Sequence, residues 1–213
     1  MFTRLAARLT AMSVAGFARA LTGVLPNWRG CLPEAKQRVY FANHTSHGDF
    51  VLIWTVLPHS LRQHTRPVAA LDYWGGAGIR GFIGREVFNA VLVDRRAGST
   101  GQDPVSVVVN ALTEGASLIF FPEGTRNTTG EELLPFKSGL YRLAQARPEV
   151  EFVPVWIDNI SRVMPKGEFF PVPLLCSVTF GAPVGNRDGE DKTAFLERAR
   201  SALLALKPAE QDR

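Results

Sequence analysis

RVYFANHTSHGDF, residues 38–50, starts as an apolar run and ends with two histidines, two hydroxyls and a carboxylate between Asn43 and Phe50. RVYFA (38–42) is too short for a helix and lacks the alternation of a half-exposed strand, so it reads as a strand buried on both faces. Small and polar residues then make a turn, and GDFVLIWTVLPHSL (48–61) continues with a helical pattern. A buried strand that turns into a helix is the unit of an α/β fold, and its carboxyl end is the edge on which such folds carry their sites.

The rest of the chain repeats the unit. PVAAL (67–71), AVLV (90–93), SLIFF (117–121), FVPVWI (152–157) and LLCSVTF (174–180) are further strand candidates. Between and after them, DPVSVVVNALTEG (103–115), GLYRLAQARP (139–148) and KTAFLERARSALLALK (192–207) read as helices, the last with Phe195, Ala199, Ala202, Leu203 and Leu206 on one face. The expectation is an α/β fold in a single domain, a largely parallel central sheet flanked by helices. No repeat or long linker divides it, and 213 residues are enough for one sizeable core.

The first 33 residues carry Arg4, Arg8, Arg19 and Arg29 and no acid. Phe2, Leu5, Leu9 and Met12 recur at helical spacing beside Arg4 and Arg8, a pattern that suits an amphipathic helix lying on an anionic membrane surface. The same pattern suits a helix packed on its own domain. ARA at 18–20 looks like a small-x-small cleavage site, but Thr10, Ser13 and Gly16 make the run before it too polar for a secretory signal, so cleavage is not expected. Nor is LTAMSVAGFA (9–18) long enough to span a bilayer. The chain is therefore divided into an N-terminal membrane-surface segment, 1–30, and a main domain, 31–213.

Charge narrows the partners. The net charge is +4, and residues 1–106 hold 12 Lys/Arg against 6 Asp/Glu, so the first half of the chain favours an anionic partner. With no basic tract, zinc-finger spacing or aromatic ribonucleoprotein motif, nucleic acid is not expected. Cys31 and Cys176 stand far apart without metal-site neighbours and read as reduced thiols.

Within the opening stretch, an N-cap at Ser46 would put Asp49 at the third helical position, a capping-box spacing. His44, in the turn before the helix, could then fold back onto the Asp49 carboxylate, which would fix its tautomer and stabilise its charged form. Two alternatives stay open on these residues alone: Asp49 only caps while His44 only fills a turn, or His44, His47 and Asp49 hold a metal without a zincin spacing. A second constellation, SLIFFPEGTRN (117–127), ends an apolar strand at Pro122 and follows it with an acid, a glycine, a hydroxyl and an arginine. Gly124 permits close backbone approach, and Thr125 and Arg126 offer donors to an oxyanion such as phosphate.

Together these two motifs resemble the glycerolipid acyltransferase family, whose best-known members are the 1-acylglycerol-3-phosphate acyltransferases. Asn43, His44, Ser46 and Asp49 match its N-H-x-S-x-x-D block (the HX4D motif), and Phe121 to Arg126 match F-P-E-G-T-R residue for residue. FNAVLVDRR (88–96) resembles the block between them, ending in Asp94-Arg95, but has Asn89-Ala90 where the family commonly shows a glycine. FKSG (136–139), VPVWI (153–157) and FGAPV (180–184) are also similar to family features, so the resemblance runs from about Val39 to Val184.

The resemblance implies transfer of a fatty acyl group from an acyl-CoA or acyl-carrier-protein thioester to the free hydroxyl of a lysophosphatidate-like glycerolipid, with no cofactor. Another acceptor (a lysophospholipid, an ornithine lipid or an envelope glycolipid) or a non-catalytic lipid-binding role are the alternatives. It implies His44 as general base with Asp49 as its orienting partner, and Glu123, Gly124, Thr125, Arg126 and Arg95 around the acceptor's phosphate, with Lys137 a weaker candidate. His47 is implied to be a neighbour rather than the base. No G-x-S-x-G elbow is present, so transfer without an acyl-enzyme is expected. LDYWGGAGIRGFIGREVFNA (71–90) would meet lipid, line the acyl channel or simply pack. The protein is expected at the cytoplasmic face of the cell membrane, peripheral or monotopic.

Overall fold

An apolar strand buried on both faces must be covered by a layer on each side, and this protein meets that requirement. The structure, a computed structural model, describes residues 2–94, 103–158 and 176–208. Among them lie α1 (Phe2–Thr22), β1 (Leu25–Trp28), β2 (Arg38–Ala42), α2 (Asp49–Val56), α3 (His59–Arg62), β3 (Thr65–Ala70), α4 (Leu71–Trp74), α5 (Ile79–Phe82) and a π-helical turn, Ile83–Val87. They continue with β4 (Val91–Val93), α6 (Pro104–Thr113), β5 (Ser117–Phe120), α7 (Gly139–Ala146), β6 (Glu151–Asp158), β7 (Ser177–Phe180) and α8 (Lys192–Leu204).

The strands form one seven-stranded sheet in the order β1-β7-β6-β2-β5-β3-β4. From β6 to β4 every pairing is parallel, whereas β7 runs antiparallel to β6 and β1 runs parallel to β7. The expected parallel sheet is thus present, with two reversed strands added at one edge. β2 is central, and alternation along it explains its unbroken apolar run. Val39 and Phe41 enter the core beneath α6, α7 and α8, while Tyr40 and Ala42 enter the core beneath α1 and α2. Each such side chain contributes about 1.5–3 kcal/mol by leaving water.

β1 was not foreseen. LPNW is four residues long and contains a proline, which belongs on an edge strand, and β1 is the edge. It ties the N-terminal segment to the sheet. α1 before it presents Ala7, Ala15 and Ala18 to the domain and leaves Leu5, Leu9, Met12 and Phe17 exposed. The expected apolar stripe at Leu5, Leu9 and Met12 therefore faces outward, while small residues make the packed face; the side chains of Phe2, Arg4 and Arg8 lie outside the described ones. No described helix is long and apolar enough to cross a membrane.

Candidate active site

The carboxyl ends of β2 and β5 lie side by side, because these strands pair in parallel at Val39–Leu118 through Phe41–Phe120. That pairing brings NHTSHGD and FPEGTR, 79 residues apart, into contact. Asn43 ends β2 by extending its ladder with a side chain: the buried amide donates to the Ile157 carbonyl (3.0 Å) and accepts from the Ile157 N–H (2.8 Å). The next residue begins its turn from this fixed point.

His44 is held at four places. Its N–H donates to Glu123 Oε1 (2.8 Å), its carbonyl accepts from the Asn127 N–H (2.6 Å), its ring stacks on Phe121 with centroids 4.2 Å apart, and its Nδ1 lies 2.8 Å from Asp49 Oδ2. Asp49 is 1% exposed, and the same oxygen accepts from the N–H groups of Thr45 (2.7 Å) and Ser46 (2.9 Å). A carboxylate only accepts, so Nδ1 carries the proton and Nε2 is left as the basic nitrogen. The helix starts one step later than the capping-box spacing suggests. Gly48 precedes it, Asp49 is its first residue, and the Ser46 hydroxyl accepts from the Gly48 N–H instead. The carboxylate reaches back as a capping box would, but the three donors from 44–46 pull it into the turn.

His47 has a different environment. Its ring lies flat on Tyr73 (centroids 4.4 Å apart, 4° between planes), and the Arg80 guanidinium sits 5.0 Å from the Tyr73 ring centre. Burial first, then the positive charges of Arg126, His44 and Arg80, hold its imidazole below the ordinary histidine range, outweighing the opposite pull of Asp49.

Glu123 had been expected to touch a substrate, and its geometry gives it a different task. It is 2% exposed, and its second oxygen accepts from the Leu134 N–H (2.9 Å), so it clamps the His44 turn, its own turn and the returning segment together. Burial pushes its carboxyl up, against the pull of the two N–H donors. Gly124, at φ 67°, bends the chain in the left-handed region, which only glycine enters freely.

His44, His47, Gly124, Thr125, Arg126 and Lys137 line one end of a cavity of about 850 Å³. The volume is that of a ligand pocket. Away from this end the lining is largely apolar, through Val68, Val93, Val105, Val108, Phe120 and Leu143, with Tyr73 and Trp74 from the 71–90 segment at the side. One charge pair interrupts it: Arg142 donates to both Asp103 oxygens (3.0 and 2.5 Å). Arg95 lies outside the described residues. Asn89, standing where a glycine was expected, has φ 48°, and asparagine tolerates that left-handed conformation better than other side chains.

Three features escaped the sequence reading. The Asn43 bridge and the Glu123 clamp join residues at least 79 positions from their most distant partners, and no local pattern announces such a contact. Lys137 was visible only as part of FKSG.

The family model described as Acyltransferase matches residues 29–158. The 1-acyl-sn-glycerol-3-phosphate acyltransferase alpha of Mus musculus is 29% identical over 89% of this chain and 66% of its own length. That of Ovis aries is 30% identical over 87% of this chain and 64% of its own, so the chain spans just under two thirds of these relatives. The crystal structure of the 1-acyl-sn-glycerophosphate acyltransferase PlsC from Thermotoga maritima superposes with a TM-score of 0.68 over 94% of this chain and 80% of that one; at 19% identity it shares the fold.

Proposed function

The chain belongs to the acyltransferase family, and from that premise we infer that it moves a fatty acyl group from an acyl-CoA or acyl-carrier-protein thioester to the free hydroxyl of a lysophosphatidate-like acceptor, forming phosphatidic acid. One observation carries the reading: a histidine oriented by a buried carboxylate stands at the junction of a cationic pocket end and a long apolar cavity.

The chemistry follows from these groups. His44 Nε2 takes the acceptor's hydroxyl proton as that oxygen attacks the thioester carbonyl, and Asp49 stabilises the imidazolium that forms. The tetrahedral intermediate collapses with cleavage of the C–S bond, and His44 returns the proton to the departing thiolate. Arg126, with Gly124 and Thr125, grips the acceptor's phosphate, and Arg95 belongs to the same proposed site; Glu123 positions the turns from beneath. The apolar arm of the cavity accommodates hydrocarbon.

Purified protein in detergent, supplied with each thioester donor and a panel of lysolipids, should convert lysophosphatidate to phosphatidic acid and release one free thiol per product, read by mass spectrometry. Products only from phosphate-free acceptors would overturn the acceptor assignment.

Membrane contact is part of this proposal. Leu5, Leu9, Met12 and Phe17 on α1, and Leu71 and Ile79 beside the cavity mouth, are exposed apolar side chains in a protein whose acceptor is a lipid. Replacing Leu9 and Met12 together by Glu should weaken co-flotation with anionic liposomes at least ~10-fold, given about 0.8 kcal/mol per buried CH2. Undiminished flotation would move the contact elsewhere.

A further inference from the structure

Lys137 returns to the FPEG turn after an excursion of a dozen residues. Its N–H donates to the Pro122 carbonyl (2.8 Å), and Leu134, three residues before, is pinned to Glu123. The Lys137 side chain lies along Gly124: a methyl placed on that glycine would stand 2.8 Å from Cδ, 3.1 Å from Cε and 3.0 Å from Nζ. The glycine therefore serves two ends, the left-handed bend and the space for this stem. The ammonium is carried to the pocket end that also holds His44 and Arg126.

Charge compensation separates the cavity's cations. Arg142 is matched by Asp103 in a two-toothed pair. Among the described residues neither Arg126 nor Lys137 has a hydrogen-bond or ion-pair partner. Two uncompensated positive charges thus stand within one turn of the base. A phosphate monoester carries about −1.5 to −2 near pH 7 and three acceptor oxygens. A guanidinium fork takes two oxygens and one charge, leaving an oxygen and most of a charge for a compact ammonium. A phosphodiester carries a single charge and is balanced by the arginine alone.

We propose that Lys137 is the second cation of the acceptor site, and that with Arg126 it selects a dianionic phosphate monoester over a monoanionic diester. This rests on the acceptor reading given above and adds a specificity-determining residue to it.

The test compares wild-type protein with Lys137→Met and Lys137→Arg, using lysophosphatidate and its phosphate methyl ester as acceptors. Lys137→Met should raise the KM for lysophosphatidate ~10- to 100-fold, the usual scale of one charged hydrogen bond. It should leave the thioester KM and the methyl-ester kinetics within ~2-fold, and Lys137→Arg should recover most of the loss. Wild-type discrimination that survives Lys137→Met, or a loss equal for both acceptors, overturns the role of Lys137 alone. Wild-type protein that handles both acceptors alike overturns the phosphate-acceptor reading itself. Lys137 is exposed, so the variants' thermal melting should match wild type.

Discussion

The His44→Ala protein turns over at least ~10²-fold more slowly than wild type while keeping its fold and its thioester KM. The magnitude is that of a lost general base. The groups around His44 make its replacement hard to cover. Its backbone contacts to Glu123 and Asn127 are independent of the side chain, so the turn persists in the variant. His47, the other histidine lining the cavity, stacks on Tyr73 and has no carboxylate at hydrogen-bond distance from its ring among the described residues. A base without such a partner gains nothing as its charge develops, and neighbouring cations make that charge costly. His47→Ala should therefore cost only a few-fold. The measurement is steady-state kcat on both variants, with circular dichroism as the check on folding. Retained activity in His44→Ala alongside its loss in His47→Ala would reverse the assignment of the base.

How much of this could be read from the chain depends on whether the determining contact is local. RVYFA and FVPVWI announce themselves because both faces are buried, which removes polar residues from the run. The reversal of β7 and the pairing of β1 leave no such trace, since the direction of a strand is decided by the connection before it, and LPNW carries too few apolar residues to declare a strand. His44 and Asp49 were legible as a pair because five residues of turn can bring them together. Their geometry was not, because the helix start is fixed by competition: Asp49 can cap Ser46 as expected, but His44 Nδ1–H and the Thr45 N–H also need an acceptor, and the carboxylate serves all three. Glu123 was misread for a related reason. An acid inside a motif of donors looks like a ligand-binding group until the fold reveals that two backbone N–H groups have already taken its oxygens.

The Asp49 carboxylate supplies both an anchor and a charge, and Asp49→Asn separates them. Three donors converge on Oδ2: the His44 ring, the Thr45 N–H and the Ser46 N–H. An asparagine at this position must place its carbonyl oxygen there, because its NH2 would face three hydrogens. The NH2 then occupies the place of Oδ1, which is buried and has no hydrogen-bond partner. So the turn, the tautomer of His44 and the direction of Nε2 are kept, at a stability cost of about 1–3 kcal/mol for the unsatisfied amide. What disappears is the negative charge beside the imidazolium. Two unit charges about 4 Å apart interact by about 4 kcal/mol at an effective dielectric of ~20, or ~10³ in rate, and the proton is only partly transferred in the transition state. Asp49→Asn should thus lower kcat ~10²- to 10³-fold with both KM values nearly unchanged. Asp49→Ala, which removes the acceptor as well, should lose activity and melt at a lower temperature than Asp49→Asn. If Asp49→Asn keeps more than about a tenth of wild-type kcat, the carboxylate acts through geometry alone, and the stabilisation of the imidazolium must be assigned to another group.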